Sequence, residues 1–134
     1  KTLMGLIPDG GDRIMAYRVA VASSDGKVIN QHFGRSRQFL IFEIAESGEW
    51  TFVELRENTP PCEMGEHHED DMRRTAELLS DCNTVLSSQI GPGAEQILRE
   101  KGITAYSITD FIDRALKKLV DHGRRQKDKH QNIN

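Results

Sequence analysis

The sequence predicts an α/β fold, a mixed five-stranded sheet with helices on its faces, and three observations carry that prediction. Five short apolar segments, at Arg18–Ser24, Phe39–Ala45, Trp50–Glu57, Asn83–Ile90 and Ile103–Ile108, have the length and composition of strands. The second and third flank the Gly-containing connection Glu46-Ser47-Gly48-Glu49, which makes them an antiparallel hairpin. The last two alternate with helical patterns, which forces parallel pairing there.

Each element has its own signal. Arg18–Ser24 is apolar on both faces, as a central buried strand should be, and Asp25-Gly26 turns the chain after it. Asn58–Glu69 holds Pro60-Pro61 and Gly65 and predicts an irregular segment. Asp70-Asp71 place negative charge at a helix start, and Met72, Ala76 and Leu79 recur at helical spacing, so a helix is expected over 70–81. Asn83–Ile90 is a second buried strand, turned at Gly91-Pro92-Gly93 into a helix whose apolar face is Ala94, Ile97 and Leu98. Gly102 ends that helix as a left-handed residue. Ile103–Ile108 reads as a third buried strand. Thr109 is the expected N-cap of a last helix striped by Ile112, Ala115, Leu116 and Leu119 and stopped by Gly123.

The domain organisation expected is one domain over 17–123 in a chain of 134 residues. Residues 1–16, with Pro8, Gly10 and Gly11, read as a flexible linker or expression remnant. They fit equally a start at Met15 or a piece cut from a longer protein. Residues 124–134 are basic and polar, and are expected to be a disordered tail.

A formal net charge of -3 gives no support to binding nucleic acid or an anionic membrane by bulk electrostatics. No apolar run approaches the roughly 20 residues of a membrane helix. The two cysteines, Cys62 and Cys82, form no CxxC pair, which argues for a reducing cytoplasm and against a self-contained four-cysteine iron–sulfur site. Catalysis finds no footing. The strand segments at 18–24 and 83–90 hold no carboxylate for two-metal phosphoryl chemistry, and no G-x-S-x-G elbow is present. The chain is therefore expected not to be an enzyme.

Three patches carry chemistry-bearing residues. The first is Asn30–Ser36 (NQHFGRS), where His32 is able to ligate a transition metal and Arg35 and Arg37 supply positive charge. The competing reading is a loop pinned to the core by His32 and Phe33. The second is Cys62–Glu69 (CEMGEHHE), whose Cys62, His67 and His68 suit a late or iron-group metal but match no zinc spacing. A solvated acidic loop is the alternative. The third is Gln89–Ala94 (QIGPGA), where N–H groups near Gly93 open a helix and attract anions, although Pro92 removes one donor. A plain tight turn explains it as well.

Several of these segments, in order, carry a family likeness: Arg18–Gly26 (RVAVASSDG), Val28–Gly34 (VINQHFG), Phe39–Ile44 (FLIFEI), Leu78–Gly93 (LLSDCNTVLSSQIGPG) and Leu98–Ile103 (LREKGI). Over residues 17–120 the chain resembles the dinitrogenase iron–molybdenum cofactor biosynthesis family, the NifX/NafY-like domain also found at the C-terminus of NifB. The resemblance implies a ribonuclease H-like fold. It also implies a carrier of the nitrogenase cofactor or of its iron–sulfur cluster precursor, held on exposed loops for transfer. His32 stands at the family's histidine implicated in holding the cluster, with Cys62 the next ligand and Arg35, Arg37 and Gly93 offsetting its negative charge. Partners implied are cofactor assembly proteins, including a radical SAM domain of the same parent chain. Two alternatives stand beside it. One is a docking module of the assembly machinery that binds no cluster, and the other a small metal protein using Cys62, His67 and His68. If an imidazole ligates, binding is expected to weaken below about pH 6, because the ligating form is deprotonated.

Overall fold

The computed structural model describes residues 16–58 and 68–132. The expected segment 1–16 thus falls almost wholly outside the described residues, as do Cys62 and His67. Five strands form one sheet: β1 (Tyr17–Ala22), β2 (Gln38–Ile44), β3 (Trp50–Glu57), β4 (Thr84–Ser87) and β5 (Thr104–Ser107). Among the described residues three helices accompany them: α1 (His68–Leu78), α2 (Pro92–Glu100) and α3 (Ile112–Asn132). The strand order is β3-β2-β1-β4-β5. β1 pairs antiparallel with β2 and parallel with β4, β2 pairs antiparallel with β3, and β4 pairs parallel with β5. The hairpin and the parallel half that the sequence predicts are both present, joined through β1.

Strand alternation sorts the core into two layers. Ala20, Ala22, Phe39, Ile41 and Val85 point to one face and pack with Ala76 of α1 and Ala94, Ile97 and Leu98 of α2. Val19, Val21, Leu40, Phe42, Ile44 and Leu86 point to the other and meet Ile112, Ala115, Leu116 and Val120 of α3. β1 contributes to both layers, so its apolar run is continuous rather than alternating.

Four expectations are corrected. Ile103–Ile108 is not a buried strand like β1 and β4: β5 lies at the sheet edge, and of its four residues only Ala105 is half-buried while the rest are exposed. The first helix is offset toward the N-terminus, spanning His68–Leu78 rather than 70–81. Thr109 does not cap α3, which begins at Ile112; the Asp110 carboxylate accepts the Phe111 N–H at 2.7 Å instead. Gly123 does not stop α3, whose helical backbone continues to Asn132 over the stretch expected to lack structure. An interior glycine costs a helix about 1 kcal/mol relative to alanine but leaves its N–H and C=O in place, and the Arg, Gln and Lys residues after Gly123 favour helix.

Gly102 behaves as expected. At φ +79° it donates its N–H to the Arg99 carbonyl at 2.9 Å, and Ile103 donates to Leu98 at 2.9 Å, closing the end of α2. A Cβ there would meet nothing within 4 Å, so the backbone angle alone demands glycine. Gly102→Ala is expected to destabilise the fold by about 1 kcal/mol, read as a lower urea midpoint with an unchanged slope. A larger loss would mean that the turn also needs the space.

Candidate functional site

The parallel strands β1 and β4 end side by side, and the loops leaving them build one rim. The loop after β1 is made stiff by its own polar side chains. Asp25 accepts from the N–H groups of Lys27 (2.9 Å) and Val28 (3.1 Å), which holds its carboxyl below the usual range. The Ser23 hydroxyl oxygen accepts from Gly26, and Asn30 both accepts from the Ser24 N–H and donates to its hydroxyl. Ile29, fully buried, ties this loop to the Asp110 carbonyl at 2.9 Å.

That frame presents His32. Its backbone is extended (φ -71°, ψ 143°), its side chain is exposed, and it caps a short 3-10 turn, Phe33–Arg35, without using its imidazole. The residue after it points the other way: Phe33 is 1% exposed and packs its ring 5.7 Å from that of Phe39. Of the two residues expected to pin the loop, Phe33 is the core anchor and His32 faces solvent.

The His32 loop is stitched onto the segment after β4. His32 and Gln89 form a parallel bridge, Phe33 donates to the Gln89 carbonyl at 2.9 Å, and Ser88 donates to Gln31 at 3.0 Å. Two residues past Gln89, Gly91 caps α2, with Pro92 and Gly93 as its first residues. The first and third sequence patches therefore share one rim. Pro92 has no N–H, so the donors α2 offers begin at Gly93. A Cβ on Gly93 would meet nothing within 4 Å, so steric need does not explain this glycine. Beside it, Met72, Arg73, Gln96, Ile97 and Glu100 line a groove of about 400 Å³ between α1 and α2.

Arg35 and Arg37 are exposed on the same loop, and the Arg35 N–H donates to the His32 carbonyl at 3.0 Å. The loop's far side is secured by Asn58, which the sequence pattern assigns to an irregular segment. Its N–H donates to the Arg37 carbonyl (2.9 Å), its side-chain amide donates to the Ser36 carbonyl (3.0 Å), and its amide oxygen accepts from Thr75 of α1 (3.3 Å). One asparagine thus joins the end of β3, the His32 loop and α1. These partners lie 17 to 22 residues away in the chain, and no local signal marks them.

The second patch falls outside the described side chains. Cys62 and His67 lie outside the described residues, and His68 is described only as the first backbone position of α1. The other cysteine, Cys82, is 4% exposed, and burial pushes its thiol up to about 12, so it stays protonated and packs as a core side chain. Among the described residues no three His, Cys, Asp or Glu side chains gather closely enough to hold a metal ion. No helix among them is long and apolar enough to cross a membrane.

Comparison with known proteins places these features in a family. Residues 15–122 match the family model described as dinitrogenase iron-molybdenum cofactor. The chain is 39% identical over 104 residues to the FeMo cofactor biosynthesis protein NifB of Frankia alni, covering 75% of this chain and 20% of that protein. It is 32% identical over 91 residues to the protein NifX of Sinorhizobium fredii, covering 64% of this chain and 56% of that one. The chain therefore spans about a fifth of the NifB relative's length and over half of the NifX relative's. Among solved structures, PH0822 superposes with a TM-score of 0.61 at 27% identity, covering 78% of this chain and 89% of that one.

Proposed function

The chain belongs to the dinitrogenase iron–molybdenum cofactor family, and from that premise we propose that it holds and hands on a metal–sulfur cluster during cofactor biosynthesis. The cargo on this reading is an iron–sulfur precursor of the iron–molybdenum cofactor, or that cofactor itself. The observation that carries the proposal is the pairing of His32 with Gln89. It fixes an exposed imidazole on the rim where α2 opens its N-terminus.

The chemistry suits such a cargo. Sulfides already fill most of the metals' coordination in a cluster, so one or two protein ligands suffice, and a full cage of side chains is not needed. His32 supplies one nitrogen ligand. Arg35 and Arg37, with the Gly93 N–H, offset the anionic charge. Cys62 is assigned as a second ligand, with His67 and His68 beside it in sequence. A hold this sparse and this exposed favours release to an acceptor, and the domain binds without catalysing. Its partners are then other cofactor assembly proteins, including a radical SAM domain where the chain is part of a NifB-like protein. We also read the sheet, with its order 3-2-1-4-5, as ribonuclease H-like.

Anaerobic titration with isolated cluster precursor, read as co-eluting iron and cluster absorbance, tests this. His32→Ala is expected to weaken binding by at least about tenfold. Equal binding by wild type and variant would move the site to Cys62, His67 and His68, which Cys62→Ala then checks. No binding by wild type would leave a docking module of the assembly machinery.

A further inference from the structure

The sheet has two edges, and they differ. β5 is four residues long, which leaves little ladder for another strand to use. β3 has eight residues, about 27 Å at the strand rise of about 3.4 Å per residue, and contains no proline or lysine. Its Phe52, Val53 and Leu55 are 51%, 36% and 46% exposed. A long edge strand carrying that much apolar surface is a template for strand addition.

We propose that the β3 edge is a self-association surface, on which a second copy of this chain lays its own β3 antiparallel, fusing two five-stranded sheets into one. In one register the exposed apolar side chains of the strand meet one another, with Val53 and Glu54 flanking the axis. With the two-fold axis between Val53 and Glu54, Phe52 of each copy faces Leu55 of the other, Thr51 faces Arg56, and Trp50 faces Glu57. No like charges stand opposite. A slip of one residue sets Glu54 against Glu54 of the second copy, and a slip the other way loses both Phe52–Leu55 pairs, setting Phe52 against Glu54 and Leu55 against Thr51.

The irregularity in the β2–β3 ladder supports this register. Phe42 pairs with Phe52 and Leu40 with Leu55, and Val53 is the extra residue between Phe52 and Glu54. Phe52 and Leu55 therefore share the face that Phe42 and Leu40 share, although they stand three positions apart. Facing one another across the axis, they form two apolar cross-strand pairs on that face. The charges of the strand do not oppose the approach. Arg56 is already paired with Glu54 at 2.8 Å and with Asp81 at 2.7 Å. A surface that matches itself about a two-fold axis selects a second copy over an unrelated strand.

Sedimentation and light scattering of the 134-residue chain over a concentration series test the proposal. The wild type is expected to dimerise reversibly. F52K/L55K places like charges opposite each other twice, and is expected to weaken the dimer by at least about tenfold while the dilute variant stays folded, melting only a few degrees lower for the lost edge contact of Phe52 with Phe42. An equimolar mixture of F52K with L55E is expected to form a heterodimer tighter than either variant's own dimer, because one Lys–Glu pair then spans the axis. A wild type that stays monomeric to its solubility limit overturns the proposal. So does a dimer that survives F52K/L55K, or a mixture that gains nothing over its components.

Discussion

Phe33→Ala is expected to lower stability by about 3–5 kcal/mol, the cost of emptying a buried phenylalanine site. Phe33 is 1% exposed and lies in the core layer shared with Ala22, Phe39, Ile97 and Leu98. The cavity has little way to collapse, because its walls come from the sheet and from α2 at once. A domain with about 5–15 kcal/mol in hand would remain folded but melt about 10–20 °C lower. The effect reaches the site because Phe33 and His32 are consecutive, and the Phe33 N–H holds the loop to Gln89. Chemical denaturation of Phe33→Ala and Phe33→Leu checks this. The leucine variant keeps most of the apolar volume and should lose only about 1 kcal/mol. Near-equal losses would show that the ring itself, through its contact with Phe39, holds the loop. Losses under about 1 kcal/mol in both would contradict the anchoring role given to Phe33.

The sequence made this anchor hard to separate from its neighbour. His32 and Phe33 are one motif when read as letters, and the division of labour follows from backbone geometry. An extended His32 followed by a 3-10 turn sends consecutive side chains in opposite directions. The sheet itself was legible, because the continuous apolar runs Val19–Ala22 and Phe39–Phe42 mark strands covered on both faces. β5 was misread as buried because Thr104-Ala105-Tyr106-Ser107 follows the same α-then-β pattern as a central strand. Position within the sheet is decided by pairing, which its letters do not encode. The same limit hid Asn58. It follows a good strand and precedes prolines, so it reads as the start of a loop, whereas its hydrogen bonds reach Ser36, Arg37 and Thr75. Gly123 erred the other way, since a strong local stop signal was overridden by helix-forming residues on its far side.

Arg56→Ala is expected to cost about 2 kcal/mol at neutral pH and to flatten the acid limb of the stability profile. The Arg56 side chain is 15% exposed and its guanidinium makes four hydrogen bonds. It donates to both Asp81 oxygens at 2.7 and 2.8 Å, to Glu54 at 2.8 Å, and to the Leu78 carbonyl at 2.9 Å. These bonds tie the end of β3 to the turn between α1 and β4. Asp81 is about half exposed, so the pair is worth less than a buried fork would be. The Arg56 guanidinium, with Arg18 adding to it, holds the Asp81 carboxyl well below the usual carboxylate range. A carboxylate with a depressed folded value binds fewer protons in the folded chain than in the unfolded one. Its contribution is therefore complete above the ordinary aspartate value and is lost as pH falls below about 4. Wild type should lose stability on that limb, and Arg56→Ala should lose much less over the same range. Parallel curves for the two proteins would place the acid sensitivity elsewhere. Asp81→Asn gives the independent check, since it removes the titrating group while keeping an oxygen for the fork. Because Arg56 stands two residues before Asn58, loosening this corner should also loosen the grip on Ser36 and Arg37, and with it the aim of His32. Restoring the neutral-pH loss with Arg56→Lys should succeed only in part, because one ammonium lacks the planar fork that spans both Asp81 oxygens while also reaching Leu78.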